Sequence, residues 1–199
     1  RAWSFESYFA VLDNDEPETA GTAQSGFAKL EYRTDRYGAL YRYLGIGENF
    51  IPGIGFVRRP NSHQNRGVLR FSPRPSMSLI RQFHFTGTLD YIPNQQGLLE
   101  TKWLTGELQT VFESGDSITL RYVDAYEFLE QGFRLRPDIT INPESYSFST
   151  MTVQLNTFGR RHARARIGFD DLSRPATPRS GRGIEHLFHR PVGEALSIL

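Results

Sequence analysis

Apolar and polar residues alternate with a period of two along most of the chain, and clusters of Gly, Pro, Asn, Asp and Ser separate the alternating stretches. This is the pattern of strands joined by turns, because successive side chains of a strand point to opposite faces. In a first strand Trp3, Phe5, Phe9 and Val11 fall on one face and Ser4, Glu6, Tyr8 and Ala10 on the other, with a loop over residues 14–21. A second sets Gly26, Ala28, Leu30 and Tyr32 against Phe27, Lys29, Glu31 and Arg33, and residues 35–38 form the turn after it.

The alternation is clearest in the middle. Met77, Leu79, Phe83, Phe85, Leu89 and Tyr91 alternate with Ser78, Gln82, His84, Thr86, Thr88 and Asp90, a run well beyond the roughly five or six residues usual in a soluble strand. Leu104, Gly106, Leu108 and Phe112 then oppose Thr105, Glu107 and Gln109. The turn Glu113-Ser114-Gly115-Asp116 leads into Ile118, Leu120 and Tyr122 opposite Thr119 and Arg121, which predicts a hairpin. Residues 133–141, 146–155 and 162–169 are further strand candidates, for a total of about nine or ten by the alternation template. Beyond Asp171 the pattern dissolves into Arg, Pro and Gly, so residues 1–171 are expected to form a β-barrel segment and 172–199 an irregular tail: a truncated or out-of-frame end, or a disordered linker.

Composition narrows the class. Hydrophobic residues make up 38% and aromatic residues 13% of 199 residues, a balance that favours strands over a helical bundle. No stretch of about 18 apolar residues occurs, so a membrane location requires strands, not helices. Faces carrying Lys29, Glu31 and Arg33, or Arg164 and Arg166, must meet water, outside a sandwich or inside a wide barrel. Strands of around ten residues, the length that crosses a bilayer, favour the barrel. The fold expected is therefore all-β, an antiparallel outer-membrane-type β-barrel in incomplete form; a soluble β-sandwich or lipocalin-like binding module is the alternative. The net charge of +1 argues against nucleic acid as a partner. The absence of cysteine excludes disulfides, thiolate metal sites and cysteine nucleophiles. The chain begins at Arg1 with no leader-like segment, which reads as a piece of a longer polypeptide.

The segment Glu48-Asn49-Phe50-Ile51-Pro52-Gly53-Ile54-Gly55-Phe56-Val57-Arg58-Arg59, followed by Arg70-Phe71-Ser72-Pro73-Arg74-Pro75, resembles a family of large bacterial proteins of unknown function. Those proteins join an amino-terminal module similar to family 9 carbohydrate-binding modules to a carboxy-terminal outer-membrane barrel. Residues 97–101 and 133–148 extend the resemblance, which runs in order over about residues 1–171. It implies an outer-membrane barrel of a Gram-negative envelope, in contact with outer-membrane lipid and binding or passing an extracellular solute such as a glycan. The motif positions are Asn49, Phe50, Pro52, Gly55, Phe56, Arg58, Arg59, Arg74 and Pro75; the carbohydrate-binding-like module itself is not among these residues.

Candidate chemistry is sparse. Lys29, Glu31, Arg33, Arg42, Glu107, Arg121, Asp124, Arg164 and Arg166 are expected to face a lumen, where the cations either bias solute passage or pair with the carboxylates. Glu107, Glu113, Asp116 and Asp124 are the carboxylates from which a carbohydrate-active hydrolase would draw an acid and a base. His186 and His189 have a spacing that suits metal ligation on a helical turn but have no convincing third ligand. The expectation is no catalytic residue, no metal and no cofactor.

Overall fold

Period-two segments that each carry one apolar face can satisfy their backbone groups only by pairing edge to edge. In a computed structural model of the chain, residues 2–12, 23–51, 57, 59–136, 139–158, 163–171 and 197–198 are described. They form strands β1 (Trp3–Val11), β2 (Gln24–Arg33), β3 (Tyr37–Ile46), β4 (Ser62–Phe71), β5 (Ile80–Pro93), β6 (Leu99–Phe112) and β7 (Ser117–Phe128). These are followed by β8 (Phe133–Arg136), β9 (Ile139–Ile141), β10 (Ser145–Asn156), β11 (Ala163–Asp171) and β12 (Ser197–Ile198). Ten strands build one sheet in the order β1-β2-β3-β4-β5-β6-β7-β10-β11-β12, and every pairing is antiparallel. Among the described residues β1 pairs only with β2 and β12 only with β11, so the sheet is open, the form of an incomplete barrel.

The register assigns each residue to a face. Phe71, Phe85, Leu108, Leu120 and Val153 are successive partners across five strands, and so are Arg70, Thr86, Glu107, Arg121 and Thr152. One face is therefore apolar and the other predominantly polar, as the alternation predicted. The apolar face is uncovered: Trp3 is 60% exposed, Phe9 70% and Leu69 69%. Among the described residues only Ile46 and Ala125 are buried hydrophobics. A β-sandwich needs a second layer packed on this face, and none of the described elements supplies one.

Connections differ between the two ends of the sheet. At one end they span residues 34–36, 72–79, 113–116 and 157–162; at the other, 12–23, 47–61, 94–98 and 129–144. The first run from three to eight residues, and three of the second four exceed ten. At the short-turn end Gly115, at φ +90°, closes the hairpin read in the sequence. A more elaborate lock holds the β2–β3 turn. Arg70 donates to the carbonyl of Asp35 at 3.0 Å, to that of Tyr37 at 3.3 Å, to that of Thr34, and to Ser72 Oγ at 2.7 Å. Arg74, of the Arg-Pro element, pairs with Asp35 at 2.9 Å. Gly38 makes room for this guanidinium, since a Cβ there would lie 3.1 Å from Arg70 Nε.

Two readings are corrected. Residues 133–141 are not one strand of the main sheet; Phe133–Arg136 and Ile139–Ile141 pair with each other as the separate β8–β9 hairpin within the 129–144 connection. Asp124 does not share the polar face: it pairs with Leu104 and Ser149, in step with Leu120 and Tyr122. A period of two allows no other placement two residues from Tyr122. Of the tail, Ser197–Ile198 pairs with Ala163 and Arg164, while residues 172–196, including His186 and His189, lie outside the described residues.

Candidate functional site

Sheet register collects the charged residues of the polar face into rows. One row crosses eight strands as Glu6, Lys29, Arg42, Arg66, Asp90, Trp103, Ala125 and Phe148. Lys29 bridges Glu6 at 3.1 Å and Glu31 at 3.4 Å, and Glu31 also pairs with Arg33. Arg66 holds both oxygens of Asp90, at 3.1 and 3.2 Å. Arg42, half-buried between these two cations, makes no ion pair or hydrogen bond among the described residues. The row ends on an aromatic shelf, where Trp103 meets Phe148 edge-on at 6.3 Å and Ala125 is 1% exposed.

Just beyond the shelf, toward the long loops, four side chains form a relay. Arg59 donates to Thr101 Oγ1 at 2.9 Å, Thr101 donates to Glu127 Oε2 at 2.7 Å, and Trp103 Nε1 donates to Glu127 Oε1 at 2.7 Å. The relay ties the 47–61 loop to β6 and β7 and fixes the indole plane. Nearby, the register shift between Ile92 and Pro93 leaves Glu100 as the extra residue of a bulge. Burial pushes the Glu100 carboxyl up; Arg59 opposes this, while Glu130 and Glu127 add to it.

The predicted site residues fall as follows. Lys29, Glu31, Arg33, Arg42, Glu107 and Arg121 occupy the polar face, and the backbone register carries Arg164 and Arg166 to the same face opposite Asn156 and Gln154. Among the described residues, Lys29, Glu31 and Arg33 form ion pairs with one another, and Glu107 and Arg121 are register partners. Asp124 stands on the other face. Of the motif positions, Arg59 joins the relay and Arg74 the turn lock, Asn49 and Phe50 lie in the 47–61 loop, and Pro75 follows Arg74 in the 72–79 turn. Pro52, Gly55, Phe56 and Arg58 lie outside the described residues.

The carboxylates do not converge on a hydrolytic pair. Glu107 and Asp124 are on opposite faces, whereas Glu113 and Asp116 sit in a short turn. Glu127, which anchors the relay, was not singled out in the sequence; its signal was its place one residue beyond the apolar-face Tyr126, in register with Thr101. Among the described residues no cluster of His, Cys, Asp and Glu suits a metal, and no helix is long and apolar enough to cross a membrane. Comparison with protein-family models, curated proteins and solved structures finds no match to this chain.

Proposed function

We propose that the sheet is part of the wall of an outer-membrane β-barrel in a Gram-negative envelope, with lipid against the apolar face and a water-filled lumen on the polar one. The observation that carries this reading is the uncovered apolar face, on which Trp3, Phe5, Phe9, Leu30, Leu69 and Leu104 are all exposed. So continuous an apolar surface is costly in water. It is also bounded in height. Moving toward the long loops, Leu89 gives way to Tyr91, Leu104 to Lys102, Tyr122 to Asp124 and Met151 to Ser149. The band from Phe83 to Tyr91 matches the roughly 9–11 residues that cross a bilayer.

Aromatic residues gather at both margins, Trp3, Tyr32, Tyr37 and Phe71 at one and Tyr41, Tyr43 and Tyr91 at the other, as amphipathic rings do at membrane interfaces. Short turns at one end and long loops at the other fit the periplasmic and extracellular sides respectively. The resemblance to the barrel region of the family named above supports the same reading. The function proposed is binding or passage of an extracellular solute, with a glycan as the class that resemblance suggests.

The two tryptophans lie on opposite faces and test the proposal directly. In vesicles carrying brominated lipid, Trp103→Phe leaves Trp3, which should be quenched by the lipid. Trp3→Phe leaves Trp103, which should respond to aqueous iodide instead. A Trp3 shielded from lipid, with the protein stable as a monomer in plain buffer, would overturn the assignment.

A further inference from the structure

Like charges directly opposite one another on neighbouring strands destabilise a sheet. Lys29, Arg42 and Arg66 are such a set, three cations on adjacent strands in one row of the polar face. The outer two have carboxylates of their own: Glu6 and Glu31 for Lys29, Asp90 for Arg66. Arg42 has none among the described residues, and Leu40 and Leu44 flank it on its own strand and face. A half-buried arginine between two further cations is unfavourable unless a counter-charge reaches it from beyond the described residues.

We infer that Arg42, with Lys29 and Arg66 on either side, is a subsite for the oxyanion group of a small solute, a carboxylate or a phosphate. This deepens the proposal that the polar face lines a lumen by naming the charge of the solute it handles. The planar guanidinium offers paired donors that match the two oxygens of such a group, and the neighbouring cations raise the local potential without competing for the same geometry. Glu6 and Asp90 at the two ends of the triplet confine the positive stretch to three strands, so an anion is drawn to one place and not spread along the wall. Partial compensation also suits passage, which needs binding strong enough to enter and weak enough to leave.

The test is equilibrium dialysis of radiolabelled inorganic phosphate and, separately, acetate against the detergent-solubilised protein at constant ionic strength. At least one should bind saturably. Arg42→Gln should weaken that binding about tenfold or more, the scale of one charge-assisted contact. Arg42→Lys should lose less, and Arg134→Gln, on the separate hairpin, should change nothing. The phosphate and acetate arms separate a tetrahedral from a planar preference. Absence of saturable binding by either ion, or equal binding by Arg42→Gln, overturns the inference. So does an Arg42→Gln protein that loses its sheet circular dichroism, because an uncompensated cation should not be required for folding. Lipid quenching of Trp3 in the same preparation distinguishes the two proposals. Quenching without anion binding removes only the subsite, and anion binding without quenching removes only the lipid-facing assignment.

Discussion

Phe85 and Thr86 are adjacent in β5 and share its backbone pairing with β6, yet they belong to regions built on opposite rules. Across the face of Phe85, neighbours are Phe71, Leu108 and Leu120, side chains that need no particular partner; Phe71 and Leu120 are exposed, and Leu108 is half-buried, for want of a covering layer. Across the face of Thr86 and toward the loops, side chains are specific: Arg66 with Asp90, Thr101 and Trp103 with Glu127, Lys29 with Glu6. The first face can be satisfied by any apolar solvent, whereas the second carries information. A change on the apolar face should act through the environment, and a change on the polar face through the partner it orphans.

The largest expected effect breaks the apolar face. Phe85→Arg or Leu108→Arg should cost about 2–4 kcal/mol of membrane stability, whereas Thr86→Arg or Gln109→Arg should leave the assembled fraction near that of the parent. Reversible unfolding by urea in vesicles reads the difference, and equal tolerance on both faces would mean that the apolar face does not meet lipid.

A smaller effect orphans a partner. Glu127→Ala leaves Thr101 and Trp103 without their acceptor, so stability should fall by about 1–3 kcal/mol and the amides of residues 94–98 should exchange faster. The neighbouring Tyr126→Phe, on the apolar face, should do neither.

Asp124 sharpens the boundary between the regions. It stands where the apolar face ends, so Asp124→Leu should change membrane stability by about 0–1 kcal/mol, the interfacial range, and in the stabilising direction. A marked loss would place Asp124 back among partnered polar residues.

The smallest effect lies outside both faces. The backbone N–H of Phe158 and the Ser114 hydroxyl hold the Asp116 carboxyl below its usual range. Its contribution to stability is therefore full above the unfolded value of about 3.9 and is lost as pH falls through the lower folded value. Asp116→Asn should flatten that acid limb slightly, as read by denaturant midpoints between parent and variant.

Strands whose two faces differ were legible from the residues alone. β1, β2, β5, β6 and β7 follow the alternation read in the sequence, and the Gly115 hairpin falls where its turn residues stand. β3 and β4 are harder to read. Leu40, Leu44 and Ile46 place apolar groups on the polar face of β3, and His63, Asn65 and Gly67 place polar or small groups on the apolar face of β4. The rows on the polar face were out of reach for a different reason. Which cations stand side by side depends on how far each strand slides against the next, and alternation within one strand carries no information about that offset. The triplet of Lys29, Arg42 and Arg66 exists only once two registers are known.

In the sheet each strand takes as its neighbours the strands just before and after it in the chain, save for the step over the β8–β9 hairpin. Assembly can thus advance as a zipper, each hairpin docking on the one already formed, with only a short loop to close at every second step. The same topology bears on inheritance. Copying one hairpin inserts two strands and leaves every earlier register as it was, so a sheet of this topology can widen in increments of a hairpin by gene duplication without redesign of the strands already present.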